Sequence, residues 1–182
     1  MQDNRQNRRI PAILSVDPGV NTGIAVLTVG PAPKLLSYSL FNFSKPRKGQ
    51  YGTPTEHIHH TILEAGHQGV DIVSVVIENQ YVAKNAYSAI SLARCSGRWE
   101  EACQAVAWLN LSPSPPVSYV AASHWQKMEL HGAMRGLRLS RAKLKRMARE
   151  VVEESFGVKV PTDAADAILL GRYHATRHRM PV

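Results

Sequence analysis

Cysteine is scarce in this 182-residue chain, with Cys95 and Cys103 the only two. Eight positions apart in what reads as one helix, their Cα atoms would stand about 12 Å apart, beyond disulfide reach. Free thiols suit a reducing cytoplasm, that of a bacterium or a phage-infected host, or else an organelle. Long apolar runs are missing as well. None approaches the ~18 residues needed to cross a bilayer, and the apolar piece after the polar start Met1 to Arg9 stops at Asp17, too soon for a secretory signal. Acids are the third shortage. Against 22 Lys and Arg there are 14 Asp and Glu, a formal charge of +8 and a pI near 9.8, which favours a polyanionic partner. Nucleic acid fits better than an anionic membrane, because the basic residues do not flank an apolar segment.

What is present suits one α/β domain. The hydrophobic share of 44% can bury a core, and we read residues 1–10 as a mobile basic tail before a single domain over 11–178. The first element is a hairpin. Apolar runs Ile13 to Val16 and Ile24 to Val29 flank Asp17-Pro18-Gly19-Val20-Asn21-Thr22-Gly23, a strand, tight turn and strand. Asp17 closes a buried strand, where it can either cap its own turn or meet a bound cation. Leu35 to Phe41 alternates as a third antiparallel strand. The basic loop Ser44 to Gly52 can touch phosphate or simply be solvated.

Thr53 and Pro54 read as the cap and first residue of a helix that ends near Gly66 to Gly69. His57, His59, His60 and His67 lie on or beside it, without the cysteines or acids that would suggest zinc, and read as solvated. Asp71 to Glu78 is nearly all β-branched, the composition of a strand buried on both faces. It too runs straight into an acid, and two acids at neighbouring strand ends could share a cation. Asn85 is the expected cap of a helix to about Trp108, whose small stripe Ala86, Ala89, Ile90, Ala93 and Gly97 would admit a second helix, in the core or across a dimer interface. After the proline-rich Ser112 to Pro116, Val117 to Ala121 reads as a fifth strand, followed by a short turn through Trp125, Lys127 and Leu130.

Arg135 to Arg149 holds seven basic residues and no acid. Ser140 can cap a helix whose positions Leu144, Met147, Ala148, Val151 and Val152 face the core, leaving the basic side chains outward for phosphate, with Gly157 as the stop. The last helix opens at Pro161, with Thr162 as expected cap and Asp163 and Asp166 on one face of its first turn. Ala164, Ala165 and Ala167 let that turn approach the sheet, and the tail from Arg172 onward is expected to fray.

Asp17, Glu78, Asp163 and Asp166 thus concentrate acids in a basic chain. Together with the element order, Ser15-Val16-Asp17-Pro18-Gly19 with Thr22-Gly23, Ile77-Glu78-Asn79-Gln80-Tyr81 with Ala83-Lys84-Asn85-Ala86, and Asp163-Ala164-Ala165-Asp166-Ala167 resemble the RuvC-type Holliday junction resolvases. The resemblance covers about residues 12 to 178. It implies a ribonuclease H-like fold, a five-stranded mixed sheet of three antiparallel and two parallel strands flanked by helices. It implies homodimeric, Mg²⁺-dependent resolution of four-way DNA junctions by paired symmetric nicks, in recombination or repair. Asp17, Glu78, Asp163 and Asp166 match the metal-binding catalytic acids. Lys143 matches a basic residue near the cut phosphate, and Tyr81 an aromatic that stacks on a base at the crossover. Lys84, Arg141, Lys145 and Arg146 are further DNA-binding candidates. Two Mg²⁺ ions roughly 4 Å apart, which Mn²⁺ could replace, would activate water and stabilise the leaving oxygen. The stretch Ser123 to Leu139, with Trp125 and His131, and the Arg-rich N-terminal extension depart from the family pattern.

Three rival readings share some of these features. An actin-like ATPase needs a second domain to close its cleft. A non-catalytic branched-DNA-binding module would gain nothing from four acids facing phosphate. A ribonuclease H acting on RNA–DNA hybrids, or a nuclease of other branched DNA, would use the same acids.

Overall fold

The computed structural model describes residues 9–43, 52–79, 86–109, 114–130 and 139–177, with side chains of the long helix described over 90–106. Residues 1–8 of the expected tail 1–10, the basic loop 44–51, Tyr81 and Lys84 with the helix cap Asn85, and His131, Arg135 and Arg138 lie outside them.

β1 (Ile10–Asp17), β2 (Asn21–Thr28) and β3 (Leu35–Asn42) form the antiparallel meander. β4 (Val70–Asn79) lies parallel to β1, and β5 (Val117–Ala121) parallel to β4, so the sheet order is β3-β2-β1-β4-β5. This is the mixed five-stranded arrangement expected from the sequence. Helix α1 (Pro54–His67) carries β3 over to β4, and α2 (Ala86–Leu109) carries β4 over to β5. The remaining helices are α3 (Ala122–Glu129), α4 (Arg141–Phe156) and α5 (Thr162–Ala175).

β-branched strands with two apolar faces require cover on both sides, and the core divides accordingly. On one face Ala12, Leu14, Val16, Val75 and Ile77 pack with Ile58 of α1 and Trp99 of α2. On the other, Ile13, Ala25, Leu27 and Val76 pack with α3, α4 and the alanine-rich α5. α5 lies close to the sheet because its contacting residues are small. Ala164, Ala165 and Ala167 are fully buried, and the Ser15 hydroxyl donates to the Ala167 carbonyl at 2.8 Å. Gly23 sets the closest approach. A Cβ on it would stand 1.9 Å from the Asp163 carbonyl oxygen, far inside van der Waals contact.

Local signals that are complete within a few residues hold. Thr53 forms a reciprocal capping box with Glu56, Ser140 accepts from the Lys143 N–H at 3.3 Å, and Gly157 stops α4 at φ +70°. Long-range contacts overturn others. His57 is buried rather than solvated, bonded to the Ser39 hydroxyl at 2.8 Å and set edge-on to Phe41 and Trp99. Trp125 lies in a helix, α3, rather than a turn, because its buried indole anchors that segment to the sheet. Pro161, not Thr162, is the cap of α5, its carbonyl accepting the Ala165 N–H at 3.0 Å. The end of α5 does not fray at Arg172, whose guanidinium bonds Glu129 and Ser155 and lies over the Phe156 ring.

Candidate active site

The topology brings the C-terminal ends of two adjacent parallel strands together, at Asp17 on β1 and Glu78 on β4. The first turn of α5 crosses those ends with Asp163 and Asp166, held there by the glycine gap at Gly23. All four carboxylates line a cavity of about 640 Å³, and Arg141 and Lys145 of α4 line it too.

Both strand ends are braced from behind. Trp125, fully buried, donates its indole N–H to Oε2 of Glu78 at 2.7 Å. On the Asp17 side, Thr22 donates to the Gly19 carbonyl at 2.8 Å, fastening the turn after the acid. Trp99 in turn donates its indole N–H to the Thr22 hydroxyl at 3.1 Å. Two tryptophans on opposite faces of the sheet therefore brace the two strand ends. Neither link could be found by spacing, because the partners lie 47 and 77 residues apart.

The site's electrostatics follow from enclosing several acids together. Burial raises the Asp17 carboxyl well above the ordinary range, and repulsion from Glu78, Asp166 and Asp163 adds to it. Burial also lifts Glu78 to about 7 against the Trp125 hydrogen bond, which favours the charged form. Asp166 is raised to about 6, mainly by burial, with Lys145 pulling the other way. Lys145 partly compensates the cluster. Its ammonium lies 2.9 Å from Asp163 and 4.0 Å from Asp166, so this side chain turns into the cleft rather than outward as expected.

Among the described residues, no three or more His, Cys, Asp or Glu side chains form a group that could hold a metal ion as they stand. Their chemistry nevertheless fits one. Carboxylate oxygens are the donors a hard divalent cation takes, and buried acids with raised proton affinity gain most from added positive charge.

The remaining candidates divide by position. Arg141 lies at the cleft. Lys143 is exposed and absent from the cleft lining, and Arg146 is exposed and paired with Glu150 at 3.4 Å. Tyr81 and Lys84 lie outside the described residues. The described part of the α2 stripe faces outward, with Ile90 53% exposed and Ala93 and Gly97 uncovered.

No protein-family model matches the chain, and no curated protein matches it by sequence. Solved structures do match. The RuvC of Thermus thermophilus, in complex with a Holliday junction substrate, is similar at TM-score 0.60 and 22% identity over 91% of this chain and 93% of that one. Another Thermus thermophilus RuvC structure aligns at TM-score 0.58 and 22% identity, covering 90% and 93%. The yeast mitochondrial Holliday junction resolvase Ydc2 aligns at TM-score 0.53 and 12% identity, covering 87% and 75%. The chain has the ribonuclease H-like fold of the RuvC-type Holliday junction resolvases.

Proposed function

We propose that this chain is a divalent-metal-dependent endodeoxyribonuclease that resolves four-way DNA junctions by paired symmetric nicks. The observation that carries the reading is the meeting of Asp17, Glu78, Asp163 and Asp166 in one cleft edged by Arg141 and Lys145. Similarity in fold to a RuvC seen with a Holliday junction supports the choice of substrate.

Asp17, Glu78, Asp163 and Asp166 would hold Mg²⁺, or Mn²⁺ in its place. Bound there, the metal would supply an activated water and neutralise charge on the departing 3′ oxygen. Arg141 and Lys145 bind the phosphates of the strand to be cut. Lys145 has a double part. In the metal-free protein it compensates Asp163 and Asp166, and with DNA bound it turns to phosphate. Trp125 holds Oε2 of Glu78 and thereby orients the carboxylate toward the cleft. Tyr81 and Lys84, next to β4 in sequence, would meet the crossover.

A two-fold junction needs two such clefts, and a homodimer supplies them. The outward-facing Ile90, Ala93 and Gly97 on α2 support close approach of a second copy. No helix among the described residues is long and apolar enough to cross a membrane, and action on DNA in the cytoplasm is part of this proposal. Incubation of a mobile four-way junction, a Y-fork and an RNA–DNA hybrid with and without Mg²⁺ tests it. Metal-dependent nicks at symmetric positions of the junction are expected. Preferential cutting of the hybrid would instead make the chain a ribonuclease H.

A further inference from the structure

α4 carries a second feature beyond its two cleft residues. Arg141, Lys145 and Arg149 follow one another at intervals of four, so they share a face of the helix. Arg141 and Lys145 line the acid cleft, whereas Arg149 lines a separate cavity of about 260 Å³ with Asn21, Asn42 and Thr162. The two cavities are neighbours, with Asn21 and Asp163 in the lining of both.

Arg149, Asn21 and Thr162 give the second cavity hydrogen-bond donors, and the one acid in its lining, Asp163, is paired with Lys145 at 2.9 Å. Arg149 is exposed and makes no ion pair among the described residues, whereas its neighbours Lys145 and Arg146 pair with Asp163 and Glu150. Asn21 accepts from the Asn42 amide with its carbonyl oxygen, and its own N–H₂ can donate to a further acceptor. Thr162 adds a hydroxyl at the rim. A guanidinium, a carboxamide N–H₂ and a hydroxyl around a small open cavity suit a phosphodiester. The α4 face fits the length of a strand as well. Eight helical residues rise about 12 Å, the axial rise of roughly three to four nucleotides of one strand.

We propose that Arg149, Asn21 and Thr162 form a phosphate subsite that grips the cut strand a few nucleotides from the scissile bond. The subsite rests on the junction-DNA reading above. It sets the register of the strand over the acids, with Lys145 between the two cavities as the intermediate contact.

Binding of four-way junctions carrying single methylphosphonate linkages, measured in EDTA so that no cutting contributes, tests it. In the wild-type protein, neutralising one phosphate within about four nucleotides of the cut site should weaken binding. Arg149→Ala should weaken binding to the unmodified junction about five- to tenfold and lower the salt slope by about one. In that variant, the same methylphosphonate should have no further effect, the signature of a shared contact. Asn21→Ala should abolish the penalty at the same phosphate. Arg149→Lys, which keeps the charge, should retain part of it. If both alanine variants keep the wild-type interference pattern, or lose it at different phosphates, the subsite is wrong while the junction reading stands. If the folded wild-type protein does not bind junctions at all, the junction reading fails and takes the subsite with it.

Discussion

The indole N–H of Trp125 donates to Oε2 of Glu78 at 2.7 Å, tying α3 to the end of β4 inside the core. A hydrogen bond to a charged acceptor contributes about 1.5–3 kcal/mol. It also favours ionised Glu78, which burial otherwise raises to about 7. Trp125→Phe keeps the apolar ring and removes the donor. The Glu78 carboxyl should then hold its proton to a still higher pH, and the ascending limb of the pH–rate profile for junction cutting should move upward. A limb that stays in place while only the melting temperature falls would restrict Trp125 to packing.

Stability in the absence of metal should carry the sign of the raised carboxyls. Folded Glu78 binds its proton more tightly than unfolded Glu78, so its contribution is fully present at low pH and is lost as pH rises through about 7. His57, whose proton affinity burial lowers, tilts the other way in acid. The difference between Glu78→Gln and wild type isolates the carboxyl. In EDTA the variant should gain stability relative to wild type on going from pH 5 to pH 8, on the order of 2–3 kcal/mol. Mg²⁺ at pH 8 should narrow the gap by stabilising the wild type. A gap that shrinks with pH in EDTA contradicts the raised Glu78.

How much of this was legible in the sequence depends on the range of the contacts. The strands were readable because β-branched runs ending in Asp17 and Glu78 announce buried strands with exposed purpose. The caps Thr53 and Ser140 were readable because each is completed within three residues. Trp125 stood out only as a departure from the family pattern. Its bond to Glu78 links α3 to a strand 47 residues earlier, which no local pattern specifies. His57 was misread for the same reason, since its burial comes from Phe41 and Trp99, elements distant in the chain. Lys145 looked like one more outward charge, and its turn toward Asp163 follows from the placement of α4 beside α5.

Gly23→Ala tests whether the approach of α5 to β2 sets the site. The added Cβ would lie 1.9 Å from the Asp163 carbonyl, so α5 must shift. Such overpacking costs about 1–3 kcal/mol, and differential scanning calorimetry should show a fall of roughly 3–10 °C. Cutting should fall further than the population of folded protein accounts for. A variant with normal melting and normal cutting would show that the gap at Gly23 is unimportant.

The α4 cations should govern affinity rather than chemistry. Arg141→Glu together with Lys145→Glu should flatten the dependence of log affinity on log salt by about two, because each lost phosphate contact removes about one from the slope. Fluorescence anisotropy of a labelled four-way junction across a salt series measures this. An unchanged slope would move the DNA surface off α4.

On the proposed function, the four acids serve cutting while the basic residues serve binding. Asp17→Asn is the most direct test, since it preserves shape and removes one negative charge from the cluster. A mobile four-way junction should be titrated with the folded variant, and its products with Mg²⁺ mapped beside those of wild type. Paired symmetric nicks are expected from wild type, and junction binding within a few-fold of wild type but no nicks from Asp17→Asn. Undiminished cutting by the variant, or loss of junction binding in a protein that melts normally, would contradict this division.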